Sequence, residues 1–215
     1  DLLFELYKEH KWPITILRPQ GVFGPYDAYQ ASFTFHRLQH LIPIAIGPKH
    51  SVKINFLYVK DLVNAFLLAI ANNNSHGNAY NVAGDDVISQ VEFIELCGKV
   101  GNCEPKLHFV NDPTYNNLII GMPWLTYDLV ADTSQIKRDL GLAFTPLETA
   151  IGETWAWLRH HPNHPGTGWV RGERLVLKNR PIPIWVKIYW KLVDTIKFSK
   201  LSILLSWLKR IFRNI

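Results

Sequence analysis

The 215-residue sequence has no glycine-rich strand-to-helix turn: neither G-x-x-G-x-x-G nor G-x-G-x-x-G occurs in it. A dinucleotide's pyrophosphate is held by backbone N–H groups at a helix start, which those glycines let it approach. These residues therefore supply no such cradle. Cysteine is nearly missing as well. Cys97 and Cys103 are too few for a disulfide framework, and Cys97, on an expected helix face, reads as a reduced packing residue. No G-x-S-x-G occurs and no cysteine sits in an activating pattern, which leaves a serine or cysteine hydrolase unsupported. The opening DLLFELYKEHK contains acids and no apolar h-region, so it is not read as a signal peptide. It begins mid-helix and without Met, and a piece of a longer protein is expected. Internal repeats and low-complexity segments are absent.

What is present suits a packed core: 47% hydrophobic and 13% aromatic residues exclude a disordered chain. The net charge of +5 is uneven. From Lys178 onward there are nine Lys/Arg and one acid, Asp194, whereas the rest of the chain has fourteen bases and seventeen acids. The basic balance thus belongs to a tail. Arg180-Pro-Ile-Pro marks a linker there. Beyond it Ile184, Ile188, Leu192 and Ile196 recur every four residues, and Leu201, Leu204, Leu205, Leu208, Ile211 and Phe212 repeat the pattern, with Lys and Arg beside both stripes. Leu201–Leu208 is the longest uncharged run in the tail, far short of the roughly 20 residues of a spanning helix. An interfacial helix on an anionic membrane surface, through residues 184–213, is the expectation. Packing on the domain or on a second subunit is the alternative.

The chain before the tail is organised around Thr15–Asp27, TILRPQGVFGPYD. Thr15-Ile16-Leu17 has the composition of a buried strand, Arg18-Pro19 ends it, and Gly21 and Gly24-Pro25 force a loop. Loops at the carboxyl ends of strands are where open α/β sheets hold ligands. Further elements follow in order. Leu2–Glu9 ends a helix, and Ala31–Leu41 forms one with Phe33, Leu38 and Leu41 apolar. Lys53–Tyr58 is a strand, and Asp61 caps the helix Leu62–Ala71, whose Leu62, Val63, Phe66, Leu67 and Ile70 fit a 3.6 period. Ala79–Ala83 and Lys106–Val110 are strands. Ser89 and Glu92 form a capping box for a helix closed by Gly101. Asp132 and Gln135 cap a helix stopped by Gly141, and Thr145-Pro146-Leu147-Glu148 starts one that runs to about Arg159.

LRPQGVFGP resembles the RP-x-x-V-(Y/F)-GP signature of extended short-chain dehydrogenases/reductases, the NAD-dependent epimerase/dehydratase family. INFLYVKDLVNAFLLAI, NAYNVAGDDVISQVEFIELC and ADTSQIKRDLGLAFTPLETAIGETWAW match further blocks in the family's order, over about Leu2 to Leu158. The match is to the C-terminal half of the family's fold. The resemblance implies an α/β class: the last strands and substrate lobe of a Rossmann-like fold in residues 1–175, then a basic amphipathic helical tail in 176–215. It implies an NAD(P)-dependent epimerase, dehydratase or reductase of a sugar-like substrate, with hydride transfer to nicotinamide, inactive as this piece. NAD or NADP would be lined by Pro19, Gln20, Gly21 and Val22. Arg18, Phe23, Lys53, Asn55, Phe56 and Tyr58 would face substrate, and Ala31–Leu41 would fold over it. A structural loop, and for Asn55, Tyr58 and Lys60 an ordinary strand edge, are the plainer readings. Where the nucleotide-sugar epimerases carry an Arg for the diphosphate, this chain has Ile54, with Lys53 adjacent; Lys gives a point charge without the bidentate fork, which weighs against a UDP- or dTDP-sugar.

Two constellations are set aside. Tyr7 and Lys11 fit the family's catalytic Y-x-x-x-K, yet Lys11 is seven residues before Arg18, much closer than the family's spacing, so a surface helix end is expected and no catalytic residue is assigned. His160, His161 and His164 could share a metal only on a helix that Pro162 and Pro165 interrupt, and a solvated loop is expected. Trp155 and Trp157 read as core and rim of the last helix. A homodimer and a cytoplasmic location, with peripheral membrane contact, complete the expectations. Nucleic acid is not an expected partner, given the acidic balance before the tail. The alternative stays open because VNDPTYNNLIIGMPWLTYDLVADTSQIKRDLGL also resembles the atypical branch that includes chloroplast stem-loop-binding proteins, a non-catalytic or RNA-associated class.

Overall fold

The computed structural model describes residues 2–27, 31–47, 51–110, 127–162 and 184. Helix α1 (Leu2–His10) stops where Lys11 turns to φ 56° and Trp12-Pro13 follows. Strand β1 (Thr15–Pro19) runs parallel to β6 (Asn78–Val82), Ile16 opposite Ala79 and Pro19 opposite Val82. Successive N–H groups of a strand point to opposite edges. Gln20 N donates to the Val82 carbonyl at 3.1 Å, so the missing N–H of Pro19 lies on the other edge, where it costs no bond of this ladder. The chain then bends at Gly21, φ 55°, into β2 (Val22–Phe23), which pairs in parallel with β5 (Leu57–Tyr58). Helix α2 (Ala31–Gln39) follows, then β3 (Ile44–Ile46), parallel to β8 (Leu107–Phe109). Parallel ladders joined through helices make this the α/β fold that the sequence led one to expect.

The run Lys53–Tyr58 is not one uniform strand. Residues Lys53–Asn55 form β4, antiparallel to β7 (Val87–Ser89), and β5 then changes partner and direction of pairing. At the break, the Phe56 carbonyl accepts from Gly84 N at 3.0 Å. Helix α3 (Val59–Ala71) starts earlier than Asp61, on which the sequence reading had placed its cap. The Asp61 carboxylate is buried and accepts instead from Thr145 N at 2.9 Å and Thr145 Oγ1 at 2.7 Å. The stripe chosen by period also faces largely the other way. Ala65 and Ala69 are buried against Leu57, Tyr80 and Val82, while Val63, Phe66, Leu67 and Ile70 are 51–77% exposed. Alanines allow α3 to sit close on the sheet, and closeness decides the inward face over bulk.

Helix α4 (Gln90–Gly101) opens on a complete capping box: Ser89 Oγ accepts from Glu92 N and Glu92 accepts from Ser89 N. Its left-handed cap is Asn102, φ 55°, rather than Gly101. Gly101 is needed for another reason, since a Cβ there would come within 2.5 Å of the Trp155 indole. Helix α5 (Ser134–Leu140) ends on left-handed Gly141, as expected. Asp132 does accept from Ser134 N, at 2.9 Å, but Thr133 holds the cap position. Helix α6 (Leu147–His160) begins one residue later than its sequence signature, with Pro146 at the cap position, because Asp61 has taken Thr145. Its first N–H, from Leu147, is satisfied by Asp86 Oδ2 at 2.9 Å. The main core lies between β2, β5, α2, α4 and α6 and holds Phe23, Phe56, Phe93, Cys97 and Trp155. Leu41, expected on α2, lies past its end with φ 53° and is exposed.

Candidate functional site

Arg18 and Pro19 are exposed at the carboxyl end of β1, Gln20, Gly21 and Val22 are half-buried, and Phe23 and Gly24 are buried. The loop therefore comes to the surface at the strand end instead of passing beneath α3. Arg18 has no partner among the described residues.

Gln20 and Asn55, 35 positions apart in the chain, are brought together. Gln20 Nε2 donates to Asn55 Oδ1 at 2.7 Å and to the Leu129 carbonyl at 2.5 Å. Asn55, on the buried side of β4, uses its whole amide. Its Oδ1 also accepts from Ala131 N at 3.0 Å, and its Nδ2 donates to the carbonyls of Ala131 and Gly84. The bend after β1, strand β4, the turn after β6 and residues 129–131 are thus tied through one side chain.

Phe23 and Phe56 form an aromatic floor with Phe93. Phe56 stacks on Phe93 at 4.2 Å, and Phe23 meets both rings edge-on. Tyr58 is buried and its hydroxyl donates to Glu153 Oε2 at 2.8 Å, an oxygen that Lys60 Nζ also reaches at 2.5 Å. Burial, then the bond and charge of Glu153, push the phenol far above its usual range. Lys60 and Tyr58 in turn hold the Glu153 carboxyl down. Both bonds end on Oε2, so Oε1 has no partner among the described residues. Lys53 pairs with Glu92 at 2.6 Å on the surface. That bond, followed by those from Ser89, pulls the Glu92 carboxyl down to about 2. A carboxyl lowered in the folded state contributes stability above its unfolded pKa, and the contribution fades as pH falls through the folded value. The Ser89 amide resonance should accordingly hold its shift from neutral pH down to pH 4 and move with a midpoint near 2; a midpoint near 4.5 would contradict the capping geometry.

The other sequence candidates are elsewhere or engaged. Tyr7 and Lys11 sit at the amino end of β1, with the Tyr7 ring against Gly77 and Lys11 Nζ 5.7 Å from the ring centroid. The strand separates them from Arg18–Val22. His160 and His161 each turn Nδ1 to a carbonyl of α6, of Ala156 and Trp157, at 2.8 Å. His164 and the tail, Ile184 apart, lie outside the described residues. Among the described residues no group of three or more metal-ligating side chains is present, and no helix is long and apolar enough to cross a membrane.

One cluster went unread in the sequence. Glu153, Trp157 and His161 recur every four residues on α6 and near its end, hence on one face. Trp157 stacks on His161 at 4.2 Å and 15°, and Tyr26 leans on Trp157 at 4.8 Å and 55°. Trp155 is core, donating Nε1 to the Cys97 carbonyl at 2.9 Å. The signal lay in GPYD: Asp27 N donates to the Gly24 carbonyl at 3.2 Å, and proline second with positive φ third is a type II turn. That third position favours glycine, and Tyr26 occupies it at φ 67°.

Residues 1–83 match the model of the NAD dependent epimerase/dehydratase family. The chloroplast stem-loop binding protein of 41 kDa b from Arabidopsis thaliana is 30% identical over 106 residues, 47% of this chain and 28% of that protein. Among solved structures, UDP-glucuronic acid 4-epimerase from Bacillus cereus, in complex with NAD, superposes with TM-score 0.61 at 18% identity, over 76% of this chain and 49% of that one. The dTDP-glucose 4,6-dehydratase of Bacillus anthracis, also with NAD, gives TM-score 0.63 at 15% identity, over 75% and 50%. The chain spans about half of those two enzymes' length. The fold is that of the extended short-chain dehydrogenase/reductase epimerases and dehydratases, and the resemblance carried by LRPQGVFGP holds.

Proposed function

We propose, from the kinship of residues 1–83 with the NAD-dependent epimerase/dehydratase family, that this chain is the substrate-side part of an NAD(P)-dependent epimerase, dehydratase or reductase of a sugar-like compound. The observation that carries the reading is the bend at Arg18–Val22, which surfaces at the carboxyl end of a parallel strand and turns at Gly21, φ 55°, where a Cβ would press on Ile54 and Phe56. Pro19, Gln20, Gly21 and Val22 would line the nicotinamide side of NAD or NADP. The bound cofactor would supply hydride transfer. These residues would place its ring and exclude water, and Asn55, through Gln20, would hold the bend in shape. Arg18 would offer the substrate its unpartnered guanidinium, while Phe23, Phe56 and Tyr58 support the site from beneath and Lys53 and Glu92 form its rim. No glycine cradle and no well-spaced Tyr/Lys pair occurs in these 215 residues, so this chain alone should neither hold NAD tightly nor turn over.

The test is an amide chemical-shift titration of the chain with two halves of NAD. Nicotinamide mononucleotide should move Gln20, Gly21 and Val22, and AMP should leave them in place. Shifts confined to other residues would count against the site, and low-micromolar NAD binding by calorimetry would count against the division of the cofactor.

A second reading follows from the stem-loop-binding relative: a non-catalytic, RNA-associated protein. Filter binding of a stem-loop RNA, weakening steeply from 50 to 200 mM salt, would favour it. For the basic tail we propose an anionic membrane surface, with a homodimer as the competing partner, in a cytoplasmic protein. Co-sedimentation with anionic liposomes that disappears on truncation at Lys178 supports the membrane. Recovery in the supernatant with and without lipid rules it out.

A further inference from the structure

The carboxyl end of α2 has a fixed geometry. Leu41 N donates to the Leu38 carbonyl at 3.2 Å and Ile42 N to the Arg37 carbonyl at 2.8 Å, and Leu41 is left-handed, φ 53°. These two bonds around a left-handed residue are the Schellman closure of a helix, and they make His40 the cap residue. His40 N still reaches the His36 carbonyl at 3.1 Å, so the last turn holds both histidines. Side chains four apart on a helix share a face. The two imidazoles are in contact there, with centroids 4.5 Å apart and planes at 53°. His40 is exposed and His36 half-buried. Neither ring makes a hydrogen bond among the described residues, so their nitrogens are open to a ligand.

We propose that His36 and His40 form a two-ligand site for a first-row transition-metal dication, Cu²⁺ before Ni²⁺ and Zn²⁺. Two histidines at this spacing on a helix can reach one ion. Imidazole suits these three metals, whereas Mg²⁺ and Ca²⁺ take oxygen ligands. Water fills the remaining positions, since no third metal-ligating side chain joins the pair among the described residues. The last carbonyls of a helix carry partial negative charge, which draws a cation to this end. Arg37 opposes it, but its guanidinium is buried on Phe33, 3.5 Å from the ring centroid, and solvent around the exposed His40 screens the charge. The cap holds His40 in place beforehand, so little backbone freedom is lost on binding. An unfolded chain does not hold the two rings together, and the metal therefore favours the folded form. The site goes beyond the reading given above and includes none of the residues at the Arg18–Val22 bend.

Titration of the tag-free full chain with Cu²⁺, Zn²⁺ and Mg²⁺ tests it. Electron spin echo spectra of the tightest-bound Cu²⁺ should show two imidazoles. Zn²⁺ should shift the ring resonances of His36 and His40 together and raise the melting temperature, and Mg²⁺ should do neither. His40→Ala should weaken Cu²⁺ by roughly tenfold or more, since even a group that only supports a metal ligand is worth about tenfold. It should also leave one imidazole on the metal and abolish the Zn²⁺ shift in melting. Because His40 is exposed, metal-free His40→Ala should melt with the parent, which separates loss of a ligand from loss of fold. A single imidazole in the parent spectrum, an unchanged Cu²⁺ affinity in His40→Ala, or Zn²⁺ shifts confined to other histidines would each overturn the proposal. No nucleotide is used, so the result is independent of the nicotinamide titration at Gln20–Val22.

Discussion

Replacing Asn55 by Ala is expected to destabilise the chain by about 2–3 kcal/mol, because the carbonyl of Gly84 and the N–H and carbonyl of Ala131 lose their partners while Gly84 stays buried. Asn55→Asp distinguishes this from a simple loss of volume. Aspartate keeps the acceptor for Gln20 and Ala131 N but sets a second oxygen against two carbonyls in a buried place, which raises its folded pKa above the usual value near 4. A group whose folded pKa is raised contributes its stability below the unfolded pKa and loses it as pH rises through the folded one. Asn55→Asp should therefore approach the parent at pH 4 and fall well short of it at pH 7. Urea midpoints measured at both values decide it, and an equal deficit at the two would show that the amide donors do not matter. The backbone of Gln20, Gly21 and Val22 should shift in the same variant.

Trp155→Ala should cost more, about 3–5 kcal/mol, the range for emptying an aromatic site in a core. The indole is 5% exposed, meets Phe35 edge-on at 5.2 Å, and rests where Gly101 has no side chain. Since domains of this kind are stable by only about 5–15 kcal/mol, the melting transition should drop steeply. Trp155→Phe keeps the contact with Phe35 and removes the indole N–H from the Cys97 carbonyl, for about 1–2 kcal/mol. Gly101→Ala provides the converse measurement, with the new methyl pressed on Trp155 and a loss of about 1–3 kcal/mol from overpacking. Thermal melts of the three place them in order; a Gly101→Ala protein as stable as the parent would mean that the indole can move aside.

Residues that work through their neighbours in sequence were legible before any coordinates. The Ser89–Glu92 box, the helix stop at Gly141 and the strand that starts at Thr15 are set by local chemistry that the sequence spells out, although that strand runs on through Arg18 and Pro19, which the sequence reading had made its end. What escaped depended on partners far along the chain. Asp61 looks like a helix cap beside Leu62, and Thr145, 84 residues later, claims it. Periodicity marked the apolar residues of α3 but could not know that the sheet surface takes Ala65 and Ala69 at close range, with Leu62 and Leu68 packed beside them. Lys53–Tyr58 alternates like one strand, and nothing in its own residues says that Phe56 is where the pairing changes. The bend at Arg18 to Val22 could be placed from glycine, proline and strand composition, and the Tyr26–Trp157 contact could not, since it joins positions 131 residues apart whose outward mark is an aromatic in a turn that favours glycine.

The change of partner at Phe56 has a mechanical side. Residues Lys53–Asn55 belong to an antiparallel ladder and Leu57–Tyr58 to a parallel one, with a single residue between them, and that residue's carbonyl is itself bonded to Gly84. The two ladders are spliced into one continuous beam. If the molecule opens and closes around a ligand, the pivot does not run through residues 53–58, because rotation there would break bonds of both ladders together. Compliance belongs instead to the Gly24–Asp27 turn, where Asp27 N reaches the Gly24 carbonyl at 3.2 Å outside any ladder, and amide hydrogen exchange should be fast there and slow from Ile54 to Tyr58.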